Sequence, residues 1–278
     1  MSNWKDKVVV VTGGSKGLGR SIAIEFARAG ATTIVVARCD ETLREMLRKS
    51  ELQWDSDEHT AEEEFRMHSI CVDVTSDESV GAAIGQIIQQ HGRIDAWVNN
   101  VGKSIRTDIH SATLEEYRDL MELNFFSVVR CTQLVLGHLQ ESGGHLINIG
   151  SLASKTAWPL VAPYTTSKFA MAAYTAQLRI EGPSNVHYLL VCPGPLVRED
   201  AGERYADQSG ELGSAAAKPG AGAPVKGILP GQLAEKIIRA CDRRKNELVV
   251  PWKSKLLFIV SQFSTRLGDA ILKRLSKS

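Results

Sequence analysis

The sequence predicts an α/β fold: one doubly wound domain built on a seven-stranded parallel sheet. Two observations lead there. Short apolar or β-branched runs alternate with amphipathic stretches of helical length, and repeated strand–helix units close with right-handed crossovers into such a sheet. The first run, "KVVVVT" (7–12), is also continuously apolar, as expected of a strand covered on both faces.

In chain order, "KVVVVT" (7–12) reads as the first strand. A glycine-rich turn follows, then a helix on which Ile22, Phe26 and Ala29 recur at helical spacing until Gly30 stops it. "ATTIVVA" (31–37) is the second strand, and "DETLREMLRK" a helix with Asp40 as N-cap. "QWDSDEHTAEEEF" (53–65) is acidic and reads as a solvated loop or helix extension. "RMHSICVDV" is the third strand, followed by a helix ending at Gly92. "RIDAWVNNVG" is the fourth strand, and residues 113 to about 141 form one long helix. "HLINIGS" is the fifth strand, and Pro163 stands near the first turn of the next helix. "NVHYLLVCPGP" is the sixth strand. The Gly, Ala, Ser and Pro of 207–227 have little means of burying apolar area, so this stretch is expected to be mobile. "PGQLAEKIIRACDRR" and "NELVVP" supply a last helix and a seventh strand. The division is a catalytic domain over 1–250, with a substrate lid at about 195–229, and an amphipathic extension over 251–278.

Composition narrows the function. Lys and Arg number 33 against 32 Asp and Glu, a net charge of +1, which disfavours a nucleic-acid partner. The five cysteines, Cys39, Cys71, Cys131, Cys192 and Cys241, are scattered without a C-x-x-C pair. Buried free thiols in a reducing compartment are expected. With no signal-peptide pattern and no run that spans a bilayer, the expectation is a cytoplasmic protein.

Ligands of doubly wound sheets bind beyond the carboxyl ends of the strands, and every unusual motif lies at such an end. In "TGGSKGLG" (12–19), glycines permit a tight turn and close approach of the backbone to phosphate, and a helix N-terminus offers free N–H groups to a pyrophosphate. Gly13, Ser15, Lys16, Gly17, Leu18 and Gly19 are therefore candidate nucleotide-binding residues. Sites preferring the non-phosphorylated dinucleotide carry Asp or Glu about 20 residues past the glycines. Arg38 stands there, and a guanidinium binds a 2′-phosphate with two parallel bonds. With Lys16 nearby, the cofactor expected is NADP(H); the alternative is that both are surface cations.

"YTTSK" (164–168) opens a helix, so Tyr164 and Lys168 share one face. A tyrosine titrates near 10, too high for a base at neutral pH. A neighbouring ammonium stabilises the phenolate; bringing the value near 7 takes about 4 kcal/mol of preferential stabilisation. If the two are one chemical unit, Tyr164 then gives a proton to a carbonyl oxygen or takes one from an alcohol; the alternative is a chance i,i+4 pairing of a core tyrosine with a surface lysine. Ser151, 13 residues earlier at the end of strand five, is placed to donate to the same oxygen, and Ser154 competes for that role. Asn124 is a poor mid-helix residue. Its side chain either holds a water linked to Lys168 or makes an interhelical hydrogen bond.

These motifs, with Asp73 and Val74 of "VDV", "NNVG" (99–102) and "PG" (193–194), occur in the order and spacing that resemble the short-chain dehydrogenase/reductases over residues 5–250. The resemblance implies a Rossmann-type domain and a catalytic tetrad of Asn124, Ser151, Tyr164 and Lys168, with Tyr164 as acid/base, Lys168 also holding the nicotinamide ribose, and Asn124 supporting a proton relay. It implies that the glycine turn carries the adenosine and pyrophosphate side and that Asp73 and Val74 flank the adenine. Asn100, Val101 and Gly102 would line the cofactor cleft, and Pro193 and Gly194 border the nicotinamide. It further implies that the helices from 113 and 163 build a homodimer or homotetramer interface. Two departures stand out: Val101 replaces the usual alanine, and Arg198 lies near the register of a threonine that commonly bonds the nicotinamide carboxamide.

The tail places Trp252, Leu256, Ile259, Val260, Phe263, Leu267, Ile271 and Leu275 at helical spacing, opposite Lys253, Lys255, Arg266, Lys273 and Arg274. The expectation is a helix packed over the substrate pocket or against a neighbouring subunit; a membrane surface is the alternative. The function expected is an NADP(H)-dependent carbonyl reductase or alcohol dehydrogenase acting on a lipophilic or acyl-type small molecule, and the alternative is a non-catalytic NADP-binding sensor.

Overall fold

The structure is a computed structural model that describes residues 4–38, 40–56, 66–198, 212, 216 and 218–276. Its seven strands are β1 (Val8–Thr12), β2 (Thr32–Ala37), β3 (Met67–Cys71), β4 (Ala96–Asn99), β5 (His145–Ile149), β6 (His187–Pro193) and β7 (Glu247–Val250). They form one sheet in the order β3-β2-β1-β4-β5-β6-β7, and every pairing is parallel. The helices are α1 (Gly17–Arg28), α2 (Asp40–Ser56), α3 (Asp77–His91), α4 (Leu114–Met121), α5 (Ser127–Ser142), α6 (Ala162–Glu181), α7 (Pro230–Asp242), α8 (Ser254–Phe263) and α9 (Thr265–Leu275). Asp40 is the first residue of α2 rather than the cap before it.

Both faces of the central strands are covered, which is why β1 is buried throughout, whereas the edge strand β3 has exposed positions. Alternate residues of β1 serve opposite faces. Val9 and Val11 pack with Ile22 and Phe26 of α1 and with Leu233 and Ile237 of α7. Val8 and Val10 pack with Ile84 and Ile87 of α3 and Val135 and Leu139 of α5. Phe26 is fully buried, so truncating it to alanine costs about 3–5 kcal/mol.

Three expectations change. The long helix from 113 is interrupted: Glu122–Phe126 form a π-helical turn between α4 and α5, and Asn124 lies inside it. Such turns insert a residue into the helical ladder and recur at functional sites. The tail is two helices rather than one. Ser264, in extended conformation, caps α9 by accepting from the Leu267 N–H, and Gly268 packs so close to Ser261 that a Cβ would lie 2.8 Å from the Ser261 Cα.

The third change concerns the segment expected to be mobile. Its described part is docked. Ala216 and Ala221 are buried. Arg106 Nε donates to the Ala216 carbonyl (3.0 Å), and Trp158 Nε1 donates to the Ala221 carbonyl (3.0 Å). A bridge between Leu196 and Ile228 ties the two ends of the segment 195–229 together. Residues 199–211, and 57–65 of the acidic stretch, lie outside the described residues, as does Cys39. Of the described cysteines, all free thiols, Cys131, Cys192 and Cys241 are buried and Cys71 is exposed. No described helix is long and apolar enough to cross a membrane.

Candidate active site

A cleft of about 1750 Å³ runs along the carboxyl ends of the strands. At one end, Gly13 and Gly17 hold φ of +64° and +57°, values that favour glycine. A Cβ on Gly19 would lie 2.3 Å from the Gly13 carbonyl oxygen, so only glycine lets α1 start this close to the turn. The ends of β1 and β4 are tied together. Thr12 Oγ1 accepts from the N–H groups of Asn100 (2.9 Å) and Val101 (3.2 Å), while Asn100 Nδ2 donates to the carbonyls of Thr12 (2.9 Å) and Gly13 (3.2 Å). Sequence reasoning missed Thr12, although a hydroxyl at the last position of the strand was visible.

Helix α1 has no side-chain cap and no acidic residue in its first turn. Its N-terminus therefore faces the cleft with N–H groups and a positive dipole end suited to a pyrophosphate. Apolar Val72, Val74 and Val101 line the cleft nearby, and exposed Arg38 and Lys16 stand on its rim. These residues fit a dinucleotide. Asp73 does not line the cleft. Its carboxylate accepts from the Thr75 N–H (2.9 Å) and Oγ1 (2.7 Å), and these bonds hold it below the usual carboxylate range, with Arg38 and Arg130 adding to the effect.

Further along stand Ser151, Tyr164 and Lys168. Lys168 is buried, with Nζ 5.9 Å from the centre of the Tyr164 ring and donating to the Ile149 carbonyl at 2.9 Å. Desolvation pushes its ammonium down to about 8. Ser151 Oγ accepts from the Ala153 N–H (3.1 Å), which leaves its own hydrogen available to a ligand. Ser154 is buried, and its Oγ accepts from the Ser151 N–H (3.0 Å). Ser154 thus holds Ser151 in place rather than competing with it.

Asn124 sits one layer below. Its Oδ1 accepts from the Lys103 N–H (2.8 Å), and Nδ2 donates to the Lys103 carbonyl and to Ser167 Oγ (2.9 Å each). Ser167 Oγ donates in turn to the Tyr164 carbonyl at 2.7 Å. Both amide hydrogens are thus committed to protein, and the side chain clamps the loop after β4 to α6. The fit at Gly102 is close: a Cβ would lie 3.2 Å from Asn124 Oδ1 and 3.4 Å from Lys168 Nζ.

Pro193 and Gly194 line the cleft, as does exposed Arg198. The far end is largely apolar: Leu152, Trp158, Val161 and Leu196 line it with Leu257, Phe258 and Leu272 of the tail, while Arg106, Lys226 and Lys253 also contribute to the cleft.

A model of the short chain dehydrogenase family matches residues 7–208. A dehydrogenase/reductase SDR family protein 7-like from Dictyostelium discoideum is 34% identical over 200 residues, covering 71% of this chain and 61% of that protein. A dehydrogenase/reductase SDR family member 7B from Danio rerio is 29% identical over 250 residues, covering 89% of this chain and 78% of its own length. Among solved structures, a short-chain dehydrogenase from Streptomyces avermitilis superposes with a TM-score of 0.75 at 25% identity, covering 100% of this chain and 99% of that one. An alcohol dehydrogenase from Thermococcus sibiricus shares the fold with a TM-score of 0.70 at 22% identity, over 88% of this chain and 95% of its own. With its parallel sheet, its glycine turn and its buried lysine beneath a tyrosine, the chain belongs to the short-chain dehydrogenase/reductase family of NAD(P)-dependent oxidoreductases.

Proposed function

We propose that this protein is an NADP(H)-dependent oxidoreductase that interconverts a carbonyl and a secondary alcohol on a lipophilic or acyl-type substrate, with Tyr164 as the acid/base. One observation carries the reading: the buried Lys168 ammonium lies 5.9 Å from the Tyr164 ring on the floor of a cleft whose other end is the glycine turn. When bound, the nicotinamide supplies or accepts the hydride.

In reduction, the Tyr164 hydroxyl gives its proton to the substrate oxygen, while Ser151 donates to the same oxygen and holds it. In oxidation the proton returns. The Lys168 ammonium favours the phenolate over the phenol and so contributes to the roughly 4 kcal/mol of stabilisation that brings a phenol near neutrality. Asn124 and Ser167 fix the backbone of Tyr164, so the hydroxyl is aimed before substrate arrives.

NADP(H) rather than NAD(H) is supported by Arg38 and Lys16. Thr12 pairs with Val36 across β1 and β2, so these two cations follow neighbouring strand ends. The apolar far end of the cleft supports the lipophilic substrate. Exposed Phe126, Leu134, Phe169 and Ile180, on the π-turn, α5 and α6, support a homo-oligomer through these helices, to be read from mass in solution. The test of the cofactor is a fluorescence titration with NADPH and NADH. The wild type should prefer NADPH, and Arg38→Asp should reverse the order; an unchanged order refutes the cofactor assignment. A panel of ketones and acyl thioesters with NADPH identifies the substrate class.

A further inference from the structure

The hairpin of α8 and α9 has two apolar sides. The inner side, with Leu257, Phe258 and Leu272, is a wall of the cleft. Among the described residues nothing covers the outer side. Leu256, Ile259 and Phe263 are 58%, 53% and 89% exposed and share one face of α8, and Trp252, 66% exposed, stands in the turn just before it. Leu267, 53% exposed, lies just beyond the Ser264 break. Helices of soluble proteins turn such a stripe inward.

Charge decides what covers it. Residues 252–275 hold Lys253, Lys255, Arg266, Lys273 and Arg274 against the single acid Asp269, an excess of +4, and all five cations are exposed. The whole chain carries +1, so the remainder carries −3 (1 − 4). A second copy seated on the stripe by two-fold symmetry would press +4 against +4. An anionic bilayer takes both the apolar residues and the cations.

We infer that the α8–α9 hairpin docks this protein on anionic lipid bilayers. The Trp252–Phe263 stripe enters the boundary between head groups and acyl chains, and Arg266, Lys273 and Arg274 meet lipid phosphates, while Lys253 lines the cleft and Lys255 pairs with Glu247 (3.9 Å). Because the same hairpin walls the cleft, docking brings the apolar end of the cleft next to the bilayer. A lipophilic substrate then enters without crossing water; only this delivery step rests on the substrate class proposed above.

Sedimentation of the full chain with phosphatidylcholine vesicles, with and without phosphatidylglycerol, tests the inference independently of cofactor and turnover. The wild type should pellet with the anionic vesicles, stay in solution with the neutral ones, and be released by high salt. The double variant Ile259→Ser/Phe263→Ser should lose more than about tenfold in partitioning. Lys273→Gln with Arg274→Gln should lose about 30-fold. Neither pair lines the cleft, so NADPH affinity and the circular dichroism spectrum should match the wild type, which separates lost docking from lost folding. The inference is overturned if the wild type ignores anionic vesicles, or if folded variants pellet as well as it does. It is equally overturned if the lipid-free protein is an oligomer that Ile259→Ser/Phe263→Ser dissociates, since a second copy would then own the stripe.

Discussion

Replacing Lys168 by methionine should abolish turnover and make the cofactor-free protein more stable. Burial holds this ammonium at about 8 against an ordinary value of 10.5. The gap of 2.5 (10.5 − 8), at about 1.36 kcal/mol per pH unit, is a cost of about 3 kcal/mol for keeping the charge inside the folded chain. Methionine removes that cost at similar length and forfeits the hydrogen bond to the Ile149 carbonyl, worth about 1 kcal/mol. The net gain is about 2 kcal/mol, which for a chain of this size raises Tm by about 4 °C. The pH dependence has a definite sign. The folded chain binds the Lys168 proton more weakly than the unfolded chain. The cost is thus fully present below about pH 8 and is relieved as pH climbs from there toward 10.5. Thermal unfolding followed by circular dichroism should show the variant melting higher at neutral pH and the advantage shrinking near pH 10. A variant that melts below the wild type at neutral pH, or an advantage that ignores pH, refutes the reasoning.

Four further substitutions probe the frame around the site. Gly19→Ala forces a Cβ to within 2.3 Å of the Gly13 carbonyl oxygen; it should cost about 1–3 kcal/mol in unfolding experiments and weaken NADPH binding more than any other step. Asn124→Ala strips the Lys103 N–H, the Lys103 carbonyl and Ser167 of a buried partner, and a loss of about 2–4 kcal/mol in denaturant melts is expected, with Ser167→Ala milder. Trp158→Phe keeps the ring but removes the bond to the Ala221 carbonyl. Limited proteolysis should then cut the lid sooner and KM should rise, while Tm falls by no more than the equivalent of about 1 kcal/mol.

The sheet was legible because its chemistry is local: β1 and β6 are buried at every position and mostly apolar, since helices cover both faces, and the glycine turn, "NNVG" and "PG" fall at strand carboxyl ends. Ser151, Tyr164 and Lys168 were singled out by the order and spacing of the resemblance, and the fold brings all three to one cleft. What escaped depends on distant contacts or on a single inserted residue. The π-turn at Glu122–Phe126 leaves no compositional trace beyond the asparagine itself. Arg106 looks like a surface cation in "SIRTD", yet it is buried and holds the strap at Ala216, 110 positions away. The small residues of that strap read as mobile because their partners, Arg106 and Trp158, lie in other segments. The Ser264 break was within reach, since a serine three residues before Leu267 is a cap pattern, but the longer apolar period concealed it.

The central claim is that the phenol of residue 164 carries the proton. Tyr164→Phe removes one hydroxyl and leaves Lys168, Ser151 and the glycine turn in place. Measured on a substrate that the wild type turns over with NADPH, the variant should lose at least about a hundredfold in kcat while its NADPH titration stays within about twofold of the wild type. A variant that keeps wild-type kcat, or a wild type that binds NADPH but turns over no ketone or acyl thioester, contradicts the account.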